Sequence, residues 1–443
     1  MAMKTRTLQT SPLSGVPADT SIRRAKNRTG VEFAKAKGSP TPTGNLANIV
    51  PGFAKPVYVT MSQIPDERMF HGLVASVLRS RWFTNNGRLV RALEDQLKRR
   101  LGVAFCSVFC NGTMALEAAL RSLDLSGEVI TTPFTFPATV HAITWTGLTP
   151  VFCDIDPNTY NIDVEQAADL ISARTSAILP VHVFGNPCDV VAIERLARLK
   201  GIKVVYDAAH AFGVSYLGRS IGSWGDLSVL SFHATKLFHT CEGGAVVGSE
   251  RSRFAQLALL RNFGIAGEEE VTSLGVNGKL SEIHAAMGLA LLNRTANEIR
   301  SRGQLASRYR ERLVNVEGLT FQQLAPGTVP NNGYFTVEID ERSFGLSREQ
   351  VHLALRASNI ITRKYFFPLC SENPCYRHLQ SAEPNSLPNA HRLASRILCL
   401  PLYGDLTLDD VDKIADCLLA VKSAGRLAVK SAGRRIRKAA VGC

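Results

Sequence analysis

Three short stretches carry groups that could act together on a bound molecule. Asn111-Gly112-Thr113 follows an apolar run and opens a helical pattern. Such a turn presents free backbone N–H groups and the positive end of a helix dipole, which suits a phosphate, although the same tripeptide also serves as an ordinary turn and N-cap. Asp207, in the order DAAHAFG, follows the run IKVVY. A carboxylate at the edge of a buried strand is costly to desolvate, so it needs a protonated ring nitrogen of a ligand, or else an Arg, a Lys or a backbone cap. Lys236 follows in the polar loop SFHATKLFHTCEGG, between His233 and His239 and just before Gly243-Gly244. One economical reading joins the three. Pyridoxal phosphate needs an anion cradle, a carboxylate that keeps its pyridinium nitrogen protonated, and a lysine amine for a Schiff base.

The elements that must position these groups show in the hydrophobic pattern. The runs FCSVF, EVITT, PVFCD, SAILPV, IKVVY, LSVLSF and GAVVG read as buried strands. Between them lie helix-sized segments such as TMALEAALRSL and VVAIERLARLK, apolar at i, i+3, i+4 and i+7. That alternation predicts an α/β domain with a mainly parallel seven-stranded sheet, in which ligands sit beyond the carboxyl ends of the strands. From about Leu280 longer helical segments take over, followed by FTVEID, REQVHLALRAS and a last helix near LTLDDVDKIADCLLAV. The expected division is a basic extension over 1–52, a large domain over 53–280, a connecting helix with a smaller α+β domain over 281–420, and a basic tail over 421–443; LAVKSAGR occurs twice in tandem, from Leu419 and again from Leu427.

Charge and cysteine usage narrow the classes. The net charge is +13, but residues 1–55 hold 9 basic against 2 acidic side chains and residues 420–443 hold 7 against none. The rest of the chain carries 35 basic and 36 acidic residues, so the basicity belongs to the ends and gives no reason to expect nucleic acid as a partner. Ten cysteines without a CxxC pair suggest neither a zinc site nor a disulfide framework, and hence reduced thiols in the cytoplasm. No apolar stretch reaches the length of a membrane span.

The chain also resembles a known family, the DegT-type sugar-nucleotide aminotransferases among the fold type I pyridoxal-phosphate enzymes. The matching stretches are TNNGRLVRALE, NGTMALEAAL, TPFTFPATVHAI, PVFCDIDPNTYNID, YDAAHAFG, SFHATKLFHTCEGGAVV, LRNFGI, LGVNGKLSEIHAAM, RKYFFPL and LPLYGDLTLDDVDKI. The resemblance implies that Lys236 is the Schiff-base lysine and proton shuttle and that Asp207 partners the pyridinium nitrogen. It places His210 near the phenolic oxygen, Gly112, Thr113 and Ser231 on the phosphate, and Phe136, otherwise a core aromatic, on the pyridine ring. Asn277 matches a position that reaches the phosphate from a neighbouring subunit, which implies a homodimer with shared sites. His233 and His239 are left as loop or supporting residues.

The likeness is greatest to members that aminate C4 of a dTDP-4-keto-6-deoxyhexose with glutamate as donor, and Trp82, Lys279, Arg363, Lys364 and Tyr365 are candidate substrate contacts. Three positions depart from the pattern: Cys241 stands where relatives usually have Gly, Gly278 where an aromatic is common, and Cys370 where many have His. Amination at C3 is an alternative, as is a sugar dehydratase of the same family in which His replaces the lysine. A third is a pyridoxal-phosphate-binding regulatory protein that holds nucleic acid with its basic tails.

Overall fold

The computed structural model describes residues 52–441, with side chains described to residue 425. The extension expected over 1–52 therefore lies, but for its last residue, outside the described residues.

All seven apolar runs are strands of one sheet. They are β1 (Phe105–Phe109), β2 (Glu128–Thr131), β3 (Thr149–Phe152), β4 (Thr175–Leu179), β5 (Lys203–Asp207), β6 (Leu227–Ser231) and β7 (Gly244–Gly248). The spatial order is β1-β7-β6-β5-β4-β2-β3, with β7 antiparallel to both neighbours and the other pairs parallel. Burial on both faces explains why these strands read as continuous apolar runs rather than alternating ones.

Helices cover the sheet. Before it come α1 (Glu67–Ser80) and α2 (Arg88–Leu101), and within it α3 (Gly112–Arg121), α4 (Pro137–Trp145) and α5 (Val190–Lys200). The buried Ala115, Ala118 and Ala119 let α3 lie close to the strands. Gly244 marks that close approach: a Cβ there would come 2.6 Å from the Asn111 carbonyl oxygen. The start of α2 is capped from far away in sequence. Buried Glu282, at the head of α6 (Glu282–Leu292), accepts from Leu89 N at 2.8 Å and Val90 N at 3.0 Å. A carboxylate on the first N–H groups of a helix meets both orphan donors and the dipole, which gives the NNGRLV stretch a structural role.

The C-terminal segments build a second core. The long helix α7 (Thr295–Leu313) packs with the antiparallel strands β8 (Leu319–Thr320), β9 (Phe335–Ile339) and β10 (Ile397–Leu400), and with α8 (Arg348–Ala357) and α9 (Leu408–Val441). β8 is only two residues long, too short for a pattern to show, and β10 (ILCL) runs on from the helical pattern before it. The last helix crosses the tail boundary expected at 421 without a break, and Val421 and Lys422 are buried.

Candidate active site

The carboxyl ends of β1, β5 and β6 and the N-termini of α3 and α4 open onto a cavity of about 330 Å³. Every element of that wall has a local cause. Asn111 caps α3 by accepting from Met114 N at 2.8 Å, which leaves the N–H groups of Gly112 and Thr113 without an intrahelical partner at the cavity wall. Gly112 lies against Ser231, since a Cβ there would stand 3.1 Å from the serine Cβ. The helix start and the hydroxyl at the end of β6 thus face one small space suited to an anion.

Asp207 ends β5 and is buried at the cavity wall. Its Oδ2 accepts from the Thr139 hydroxyl at 2.7 Å and its Oδ1 from Ala209 N at 3.0 Å. Burial raises its pKa above the usual carboxylate range, and the Ala209 N–H, the Thr139 hydroxyl and the Lys236 charge act against that rise. Thr139 is itself 2.8 Å from the Thr135 hydroxyl, so Asp207 stands at the end of a row of two side-chain hydroxyls.

His210 is buried and accepts from Phe184 N through Nδ1 at 3.2 Å. That bond assigns the proton of the neutral ring to Nε2. Burial holds the imidazole well below its ordinary pKa, and Lys236 and His182 push the same way, so the ring is a neutral donor at physiological pH. Its plane is nearly parallel to that of Phe366, 5.8 Å away between centroids.

Lys236 stands half-buried in the wall with Nζ 3.3 Å from the Tyr334 hydroxyl. Burial lowers its pKa, partly offset by Asp207 and Tyr365. Tyr334 is pushed up by burial and stays a neutral phenol. Phe136 ends the turn before α4 with 61% of its surface exposed, so it is no core aromatic, and its ring lines the cavity.

The structure brings Gly112, Thr113, Phe136, Asp207, His210, Ser231, Lys236, Arg363 and Tyr365 to one cavity. Four expected residues lie elsewhere. Asn277 pairs as a bridge with Asn262 and does not line this cavity. Trp82 is exposed beside Gly87. Lys279 Nζ sits 4.7 Å from the Phe263 ring centroid, and Lys364 Nζ is bound to Glu349 at 2.9 Å. Cys370 is buried, its thiol directed to the Thr135 carbonyl, so this departure from the family pattern does not meet the cavity.

The histidines of the lysine loop divide. His239 is buried, accepts from Cys241 N through Nδ1 and reaches the Gln63 carbonyl through Nε2 at 3.0 Å, and so ties the loop down. His233, expected to be a supporting residue, lines the cavity mouth with Glu242, 3.6 Å away. Sequence reasoning also missed Thr135, Thr139, Tyr334 and Phe366, which line the same cavity. A hydroxyl four residues apart on a helix start and a tyrosine 98 positions from its lysine carry no local signal.

Cys241 has a positive φ of 66° and is exposed. The left-handed region costs an ordinary side chain roughly 1–2 kcal/mol, and glycine enters it freely. Cys241→Gly is therefore expected to stabilise the fold by about 1 kcal/mol, after the extra unfolded-state entropy of glycine is deducted. Denaturant midpoints test this, and a lower midpoint in the variant would assign the thiol a compensating contact.

The donor set fits a planar cofactor with a phosphate, a basic ring nitrogen and an aldehyde. It offers helix N–H groups and a serine, a desolvated carboxylate, a neutral imidazole donor and an amine of lowered pKa around one cavity.

Comparison with known proteins gives a consistent picture. The model of the DegT/DnrJ/EryC1/StrS aminotransferase family matches residues 66–419. The chain is 42% identical over 371 residues to a dTDP-4-amino-4,6-dideoxy-D-glucose transaminase of Escherichia coli, covering 82% of this chain and 98% of that protein. It is 32% identical to the spore coat polysaccharide biosynthesis protein SpsC of Bacillus subtilis, covering 78% of this chain and 92% of the relative. Among solved structures, DesI with its TDP-sugar product aligns with a TM-score of 0.81 at 37% identity, covering 86% of this chain and 97% of that one. Helicobacter pylori PseC, an aminotransferase of pseudoaminic acid biosynthesis, aligns with a TM-score of 0.78 at 27% identity, covering 84% and 100%. No helix among the described residues is long and apolar enough to cross a membrane.

Proposed function

Because the chain belongs to the DegT/DnrJ/EryC1/StrS aminotransferase family, we propose that it moves an amino group from glutamate to dTDP-4-keto-6-deoxyglucose, giving dTDP-4-amino-4,6-dideoxyglucose. It is a pyridoxal-phosphate-dependent sugar-nucleotide aminotransferase, and its substrates are a keto sugar and an amino donor. The observation that carries the reading is the convergence of Lys236, Asp207 and the N-terminus of α3 on one cavity. The choice of sugar is supported by the 42% identical relative of Escherichia coli, a dTDP-4-amino-4,6-dideoxy-D-glucose transaminase.

The roles of the residues follow from their surroundings. The N–H groups of Gly112 and Thr113, with the Ser231 hydroxyl, hold the cofactor's phosphate. Asp207, as the carboxylate, would accept from the protonated ring nitrogen as its ion-pair partner, which offsets the cost of its burial. His210, with its proton on Nε2, would be the donor to the phenolic oxygen, and Phe136 would lie against the ring. When bound, the cofactor supplies an electron sink that acidifies the donor's α-hydrogen. Lys236 would hold the cofactor covalently in the resting enzyme. Its Nζ, whose pKa burial lowers, would be the base for the proton on the donor's α-carbon once the donor amine has displaced it. The same groups run the reverse sequence on the keto sugar, so the kinetics are ping-pong. Asn277, away from its own chain's cavity, serves the phosphate of a second copy, in a homodimer with shared sites.

The test is incubation of the purified protein with pyridoxal phosphate, glutamate and a panel of 3-keto and 4-keto sugars linked to dTDP, UDP or GDP, followed by product mass. The expected outcome is absorbance near ~420 nm that glutamate bleaches and dTDP-4-keto-6-deoxyglucose restores, with one amine gained by that sugar. Restoration by a 3-keto sugar alone, or loss of a hydroxyl in place of gain of an amine, would overturn the substrate assignment.

A further inference from the structure

Among the described residues Arg363 is the one arginine that lines the cavity. The other cations nearby are committed elsewhere. Lys364 is bound to Glu349, Arg348 donates to the Ala394 and Ile397 carbonyls, and Lys279 lies over Phe263. Among the described residues no carboxylate pairs with Arg363. Its backbone is pinned to β10, with Arg363 N donating to the Cys399 carbonyl at 3.1 Å and Cys399 N to the Arg363 carbonyl at 2.8 Å. The guanidinium carbon sits 5.4 Å from the Tyr365 ring centroid. Tyr365 lies edge-on to Tyr334 at 5.9 Å, and the Tyr334 hydroxyl is 3.3 Å from Lys236 Nζ.

We propose that Arg363 is the carboxylate anchor of the amino donor, an inference that rests on the aminotransferase reading above. The donor's amine takes the place of the Lys236 amine, so its carboxylates come within a short side chain's reach of that nitrogen. A guanidinium that meets no carboxylate among the described residues, set apart from Lys236 by the edge-on rings of Tyr365 and Tyr334, offers the planar fork of donors that a carboxylate accepts bidentately. A diphosphate fits this position less well. In a 4-keto sugar the reacting carbon and the phosphorylated C1 lie on opposite sides of the hexose ring, which puts the diphosphate a full ring further from Lys236. Tyr365 steers the guanidinium through its ring face and keeps it directed at the cavity.

The experiment measures the two half-reactions separately in Arg363→Gln and Arg363→Lys. In Arg363→Gln the concentration of glutamate needed to bleach the ~420 nm absorbance should rise about 10–100-fold, with Arg363→Lys in between. Calorimetric binding of glutarate, a dicarboxylate with no amine, to the cofactor-loaded protein should weaken to the same degree. The keto-sugar half-reaction, started from protein loaded with pyridoxamine phosphate, should change less than about 2-fold. An unchanged glutamate dependence, or a loss of the sugar half-reaction equal to or larger than that of the glutamate half, overturns the assignment. The broader reading fails separately, in wild-type protein that glutamate does not bleach at all.

Discussion

Lys236→Ala is expected to fold normally and to lose at least about 10³-fold in turnover, together with the visible absorbance of the lysine-bound cofactor. Two roles end at once: the covalent anchor and the base that moves the α-proton. The fold should survive because the side chain is half-buried at a cavity wall and not part of a packed core. The backbone of the loop is held independently, by Lys236 N donating to the His233 carbonyl at 2.9 Å and by His239 reaching Gln63. Among the described residues the side-chain hydrogen-bond partner lost is the Tyr334 hydroxyl, which faces the same cavity. Absorbance, steady-state rate and a thermal melt check the three parts of the expectation. Retained turnover, or an unchanged absorbance spectrum, would remove Lys236 from the chemistry.

Asp207→Asn should separate function from stability. Activity is expected to fall by at least about 10²-fold, because an amide cannot hold the ring nitrogen protonated by charge. Stability of the cofactor-free protein should hold or rise. Burial raises the pKa of Asp207 in the fold. A carboxyl with a raised folded pKa contributes its stability below its unfolded pKa and loses it as pH climbs through the folded value. At neutral pH the cofactor-free protein therefore pays for a desolvated carboxylate, and asparagine removes that cost. The amide can still meet Ala209 N, and the Thr139 hydroxyl can reverse its direction. The gap between variant and wild type should widen as pH rises above the carboxylate range and close below it. A variant that melts well below wild type at neutral pH, or that keeps full activity, contradicts the role given to this carboxylate.

The two variants also differ in what added cofactor does. A ligand that binds only the folded state raises its stability by mass action. Wild type should therefore gain more from pyridoxal phosphate than either variant, since each lacks one bond to it.

Much of this was legible before the fold was known, and for a physical reason. Strands buried on both faces must be apolar throughout, so all seven runs of the central sheet stand out. Residues that follow such runs lie at the carboxyl edge of a parallel sheet, so Gly112, Asp207 and Lys236 were identifiable as neighbours of one site from their places in the chain, while Ser231 came from the family resemblance. Cys241 was visible as an oddity, and its positive φ explains why a glycine suits that turn.

What the linear order does not carry is contact between distant segments. Tyr334 meets Lys236 because an ordered turn brings it there. Asn331 donates to the carbonyls of His210 and Phe212, and the buried Arg302 donates to the carbonyl of Gly333. The tautomer of His210 depends on one backbone N–H of Phe184, and the cap of α2 on a glutamate 193 residues away. Among the basic candidates, Lys236 and Arg363 line the cavity while Lys279 and Lys364 are drawn off to Phe263 and Glu349. Residue type and local period determined the sheet, the cradle, the carboxylate and the lysine. Which side chains desolvate, pair and face one another was decided only by packing, since burial and pairing depend on neighbours that local sequence does not name.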